Sequence, residues 1–352
     1  IRDFHEHHKV TKTIEESAAL ALKKGCDLNC GCTYIHLMSA YKQGLVTEEE
    51  IRTAAVRLFT TRYILGMFDK TEYDGLNYLD VETKENLAVA KRASDESIVL
   101  LKNDGILPID KNKNKVIAVI GPNADSRACL IGNYYGTSSE YITALEGIRN
   151  AAGDDTRILY TEGCDISIPK PDNLSREYHR IAEAKAVMSR ADLVVLVIGL
   201  NETLEGEEGD QGNQYRSGDK PDLLFPKTQR KLIDTVIASG KPFITVVMAG
   251  SAMDLSVLND KASAVLQAWY PGARGGQSIG DILFGKVNPS GKLPVTFYKD
   301  TNDLPDFEDY SMKGRTYRYL ETEPLYPFGY GLTYGKMDIT YVDKTGDDPK
   351  NS

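Results

Sequence analysis

The sequence DLVVLVIG occupies residues 192–199 and runs directly into LNETLEGEEGD at residues 200–210. After Asp192 the first stretch holds no polar side chain and is rich in β-branched residues. It lacks the apolar/polar alternation of a strand that keeps one face in water. Such a run predicts a strand buried on both faces, the situation of a parallel sheet covered by helices. Runs of the same kind recur on either side: VIAVIGPN at 116–123, RILYTEG at 157–163, PFITVVMAG at 242–250 and ASAVLQAWY at 262–270. Between them lie stretches with helical spacing: YITALEGIRNAAG at 141–153, EYHRIAEAKAVMSRA at 177–191, PKTQRKLIDTVIASG at 226–240 and GGQSIGDILFG at 275–285. NLAVAKRASDESIVLLKN, at 86–103, reads as a helix passing into a strand. The alternation predicts a three-layer α/β/α sandwich with a mostly parallel sheet over residues 85–300.

In sheets of this class ligands sit beyond the carboxyl ends of the strands, and the acidic stretch leaves one such end. It carries four glutamates, Glu202, Glu205, Glu207 and Glu208. One reading is a solvated acidic loop. The other is a catalytic carboxylate set, in which Gly206 and Gly209 permit tight backbone paths that aim a carboxylate inward. Neighbouring like charges would then raise a proton affinity, as a general acid requires. The residues alone leave both readings open.

Composition narrows the partners. A net charge of −9 argues against a phosphate backbone, which needs a Lys/Arg-dense face. No apolar run approaches the ~20 residues that span a bilayer, and IRDFHEHHKV at residues 1–10 is unlike a signal peptide. VIGPNAD lacks the glycines of a dinucleotide or P-loop fingerprint, so a nucleotide-binding domain is supported by fold class alone. No cofactor is expected. The five cysteines, Cys26, Cys30, Cys32, Cys129 and Cys164, are spaced poorly for a structural zinc hook, and no metal is expected; small buried or partly paired cysteines are the alternative. HEHH, at residues 5–8, reads as a polar segment facing solvent rather than a substrate-binding one.

The first 66 residues read as helix, short strand, helix, helix. In VTEEEIRTAAVRLFTTRYILG, Thr47 is the predicted N-cap, Glu50 its capping-box partner, and Gly66 the stop. These elements cannot enclose their own apolar faces and look like part of a larger domain. Residues 67–84 are polar and aperiodic and read as a linker.

Nine motifs in order carry a resemblance to glycoside hydrolase family 3, and within it to the β-xylosidase-like branch. They are ALKKGCDLNCG, VTEEEIRTAAVRLFTTRYILGMFD, ASDESIVLLKNDGILPI, VIGPNA, GNYYG, LEGEEGD, DLLFPKTQRKLI, QAWYPGARGGQSIGDILFGKVNPSGKLPVTF and YPFGYGLTY. The resemblance implies that residues 1–66 are the last part of a (β/α)8 barrel. It also implies that residues 301–352 connect to the start of a fibronectin-like domain, with MDITYVD at 337–343 as a first strand. It further implies an exo-acting retaining β-glycosidase: a β-xylosidase acting on xylo-oligosaccharides, with β-glucosidase as the alternative and an extracellular or periplasmic location. Matched to the motif, Glu205 takes the acid/base role and Glu207 is the runner-up. Tyr135, then Tyr134, supplies a sugar-binding ring from GNYYG; aromatic packing is the alternative. GDKPDLLFP has Lys220 where the family commonly has Arg, whose bidentate fork Lys cannot present. The family's nucleophilic Asp falls before the segment matching IRDFHEHHKV; Asp3 lies after that motif, and Asp27 belongs to CDLNCG. The chain is therefore expected to lack the nucleophile and to be inactive alone, or to act as a non-catalytic carbohydrate-binding or structural piece.

Overall fold

The computed structural model describes residues 1–170, 176, 178–206, 220–306 and 308–335. The chain divides into two compact units, Ile1–Val81 and Glu82–Ser352.

The first unit is helical: α1 (Asp3–Glu6), α2 (Ile14–Lys23), α3 (Leu37–Lys42) and α4 (Glu48–Ile64). Thr13 caps α2 by accepting from the Glu16 amide. The capping box predicted for α4 is present: Thr47 Oγ1 accepts from the Glu50 amide at 3.2 Å and Glu50 Oε2 accepts from the Thr47 amide at 2.8 Å. The short strand expected between the first two long helices is not formed. Residues Thr33–His36 instead wind into a single 3-10 turn that feeds α3. With no neighbouring strand in the unit, a β-branched and aromatic run has no ladder to join. Ala19, Leu22, Ala40, Val46 and Ala54 make the small core. Two further 3-10 turns, Glu72–Gly75 and Tyr78–Asp80, occupy the polar stretch that follows.

The second unit begins with α5 (Lys84–Ser97) and β1 (Val99–Asn103). It continues through β2 (Val116–Ile120), α6 (Ala128–Ile131), α7 (Ala144–Ala152), β3 (Arg157–Thr161), α8 (Arg180–Met188) and β4 (Leu193–Gly199). Then come α9 (Lys227–Ala238), β5 (Phe243–Met248), α10 (Ser256–Lys261), β6 (Ala264–Gln267), α11 (Gly275–Leu283) and the one-turn α12 (Thr316–Tyr319). The six strands form one sheet in the order β1-β6-β5-β4-β2-β3, parallel throughout except that β1 runs antiparallel to β6. All seven residues of β4 and all six of β5 are buried, as continuous apolar runs require.

Alternating side chains feed two cores. On one face Val194, Leu196 and Ile198 pack with Met188 of α8 and Leu232 and Val236 of α9. On the other, Leu193, Val195 and Val197 pack with Leu145 and Ile148 of α7 and Ile279 and Leu283 of α11. The result is the three-layer sandwich. Gly121, just past β2, has φ +139°, and a Cβ there would lie 1.8 Å from the Val197 carbonyl oxygen, so the position admits only glycine.

Candidate active site

The chain continues from β2 to β3 toward one edge of the sheet and from β4 to β5 toward the other. The carboxyl ends of β2 and β4 therefore flank the point where strand order reverses, the place where open α/β sheets form a ligand crevice. Asn123, fully buried beyond β2, ties the two ends by donating from Nδ2 to the Leu200 carbonyl at 3.0 Å. Leu204, fully buried, anchors the acidic stretch that starts there. Glu202 turns inward, and one of its carboxylate oxygens is buried without a partner among the described residues.

Glu205 is half-buried, and donors reach both of its carboxylate oxygens. The Gly250 amide donates to Oε2 at 2.7 Å, the Tyr270 phenol donates to the same oxygen, and the Ser251 hydroxyl donates to Oε1. The Gly250 and Ser251 donors come from the turn that follows β5, and Tyr270 follows β6. The ends of three neighbouring strands, β4, β5 and β6, thus converge on one carboxylate. Burial first, then the negative charge of Glu205, pushes the Tyr270 phenol far above its ordinary range, so it stays a protonated donor. Its ring lies against Gly132 and Gly250; a Cβ at either would come within 2.7 or 2.9 Å of ring carbons. Lys220 is bound to the same turn, donating to the Ala252 carbonyl at 3.0 Å with Met253 Sδ at 3.2 Å. Burial lowers its proton affinity, against the opposing effect of Glu205 and Asp222. The turn at residues 250–253 therefore holds both Glu205 and Lys220.

Gly132 opens GNYYG, so Tyr270 joins this motif to Glu205. The side chains of Tyr134 and Tyr135 are exposed, at 78% and 55%, and neither hydrogen-bonds Glu205. Tyr134 has φ +54°, a left-handed conformation that is costly for an aromatic residue. A cavity of about 340 Å³ opens between residues 136–138 and 271–275; Glu205 does not line it. Glu207 lies outside the described residues, as does MDITYVD.

The other sequence candidates are engaged locally. Asp3 Oδ1 lies 2.6 Å from His7 Nδ1, a contact that holds the carboxyl below its usual range. Asp27 pairs with Arg57 at 3.3 Å, and His5 contacts Ser17 Oγ at 3.0 Å. All five cysteines are free thiols; Cys129 and Cys164 are buried, and burial pushes Cys129 up to about 12. No three His, Cys, Asp or Glu side chains come together to hold a metal among the described residues. Sequence reasoning missed Tyr270 and Ser251. Tyr270 ends the strand-like run 262–270 and lies in the family motif that begins QAWYPGARGG, but nothing local distinguishes a phenol that packs from one that donates to a carboxylate 65 positions away.

The family model for the glycosyl hydrolase family 3 C-terminal domain matches residues 98–334, from β1 to beyond α12. The chain belongs to glycosyl hydrolase family 3. Among curated members of the family it is 36% identical to β-D-xylosidase 3 of Arabidopsis thaliana, over 95% of this chain and 43% of that protein. It is 28% identical to a xylan 1,4-β-xylosidase of Xylanibacter ruminicola, over 96% of this chain and 56% of that one. A periplasmic β-glucosidase of Salmonella typhimurium is 33% identical over 95% of this chain and 47% of that protein. Among solved structures, a family 3 exo-β-xylosidase bound to a xylobiose aziridine probe superposes with a TM-score of 0.79 at 29% identity, covering 95% of this chain and 43% of that one. The chain thus spans about half the length of the curated relatives it matches. No helix among the described residues is long and apolar enough to cross a membrane.

Proposed function

We propose that this chain is the acid/base-bearing part of an exo-acting retaining β-glycosidase, a β-xylosidase that releases xylose from xylo-oligosaccharides outside the cytoplasm. The observation that carries this reading is the placement of Glu205: a half-buried carboxylate at the strand-order reversal of the sheet, oriented by Gly250, Ser251 and Tyr270. Retaining hydrolysis needs a carboxylic acid that protonates the leaving oxygen and, as carboxylate, then activates water. The opposing nucleophile must lie about 5–5.5 Å from it.

The contacts distinguish the two oxygens of Glu205. Oε2 receives an amide and a phenol whose proton is not released, so it is the fixed end of the group. Among the described residues Oε1 faces only the Ser251 hydroxyl, which rotates and both donates and accepts. The transferable proton therefore sits on Oε1. In this arrangement Tyr270 and Ser251 orient the acid and do not react with the sugar. Tyr135 is the ring offered to the sugar, with Tyr134 second, because both are exposed on the loop joined to Glu205 through Gly132 and Tyr270.

A β-glucosidase is the second reading, favoured by the 33% identity to the Salmonella typhimurium protein. The test uses the chain joined to a complete barrel. Glu205→Ala should slow substrates with poor leaving groups most, and azide should restore part of the rate on activated aryl xylosides. Rescue in Glu207→Ala and not in Glu205→Ala would overturn the assignment, and much faster cleavage of aryl glucosides than of aryl xylosides would overturn the substrate.

A further inference from the structure

After α11 the chain builds a second concave surface that the catalytic reading does not use. Its base is tied to the folded unit. Phe297 is fully buried and Tyr326 is 3% exposed; the Phe297 amide donates to the Tyr326 carbonyl at 2.9 Å, and the Leu325 amide donates to the Phe297 carbonyl at 2.9 Å. Upon this base lies a groove of about 510 Å³, within the range of small-molecule sites. Tyr298, Tyr317, Tyr319 and Phe328 supply its rings, and Thr296 and Arg318 its polar groups.

Three observations show a built surface rather than stray apolar exposure. The Tyr317 and Phe328 rings stack with centroids 4.7 Å apart and planes 29° apart, forming one double-thickness platform, although the two residues remain 60% and 48% exposed. The platform is tied to the rest of the groove: the Thr316 amide donates to the Tyr298 hydroxyl at 3.0 Å, and Thr316 has φ +57°, a conformation that costs a β-branched residue free energy. Thr296 lines the groove at 8% exposure, and its hydroxyl has no hydrogen-bond partner among the described residues. A buried hydroxyl left unpaired is costly unless something fills the site.

The occupant these features fit is defined by its chemistry. Exposed ring faces favour a ligand with C–H faces, while the unpaired Thr296 hydroxyl and the Arg318 guanidinium favour one that also carries hydroxyls. Among the described residues no acidic side chain lines the groove, and Arg318 as the one cation there does not make a site for a polyanion. We propose that this groove is a secondary binding surface for a neutral β-linked oligosaccharide, which it holds without cleaving. The site shares no residue with the surroundings of Glu205, and its binding does not depend on the catalytic reading.

The test is calorimetry of the 352-residue chain with xylohexaose and, separately, cellohexaose, each variant being checked for an unchanged thermal transition. Tyr317→Ala and Phe328→Ala should each weaken binding about tenfold or more, the loss expected on truncating an aromatic anchor. Thr296→Val, which keeps the shape and removes the hydroxyl, should weaken it less, and should do so even where an aromatic truncation disturbs folding. The proposal is overturned if the chain binds neither sugar or if all three variants bind as the parent does. It is equally overturned if Tyr135→Ala abolishes binding while Tyr317→Ala leaves it intact, because the sugar would then sit at the candidate active site.

Discussion

Helices α4 and α11 show how differently the two units use similar local signals. The 17-residue α4 has a complete capping box and three glutamates in its first turn, yet Ala54 is its only buried residue. The nine-residue α11 has neither a side-chain cap nor an acidic first turn, yet seven of its residues are buried against the sheet and α7. The same contrast runs through the two units. The core of residues 1–81 is three alanines, a leucine and a valine, while Ile35, Phe59, Tyr63, Ile64 and Leu65 are each at least 50% exposed. In residues 82–335 both faces of a six-stranded sheet are covered. Good helix signals place a helix; burial on the other side of it is what stabilises a unit.

The contrast predicts its largest effect in proteolysis. At low protease, cleavage should begin within residues 43–81 and leave a resistant piece beginning near α5, because opening free energies are lowest where few apolar groups are buried. A first cut inside β4 or β5 would break the comparison. Next in size, Leu196→Ala removes a fully buried side chain from β4 and should destabilise the second unit by about 3–5 kcal/mol in denaturant titration. Leu22→Ala should leave that transition where it was, since its partners all lie in the first unit.

A third effect follows from the phenols. Burial raises Tyr270, Tyr326 and Tyr334 above their ordinary values. Below about pH 10 the phenols are protonated in both folded and unfolded chains and contribute no pH dependence. Above it the unfolded chain loses protons that the folded chain keeps, so stability falls as pH rises. The transition of the second unit should move to lower denaturant between pH 10 and 11, and Tyr326→Phe should flatten that slope. An unchanged slope would show that the phenol is not protected. The smallest expected effect is in the first unit: Thr47→Ala removes the cap of α4 and should cost about 1 kcal/mol of that unit's stability. No effect at all would mean that α4 is frayed at that end in solution.

Much of the fold was legible because its signals are local. The β4 and β5 runs lack alternation, Thr47 and Glu50 stand at capping-box spacing, and Gly121 sits where strand gives way to turn. Each of these depends on neighbours within a few positions. The acidic stretch was likewise visible, and motif matching singled out Glu205 within it. What sequence alone could not supply was the pairing of distant groups. Val99–Asn103 runs antiparallel at the sheet edge although its apolar run resembles those of the parallel strands, because the direction of a strand is set by its connection and its partner rather than by its side chains.

The same reason separates the site's carboxylate from its surroundings. A glutamate after a strand can be read from the chain, but whether it meets solvent or a set of donors depends on which other strand ends arrive beside it. Only the order β6-β5-β4-β2 carries Gly250, Ser251 and Tyr270 to Glu205, and only the return of the chain after α11 stacks Tyr317 on Phe328 in the groove that Thr296 lines. Sequence determined the layers and the chemistry available at the end of each strand. Tertiary structure decided which of those groups meet, because hydrogen bonds and ring contacts form between surfaces that the chain brings together from far apart.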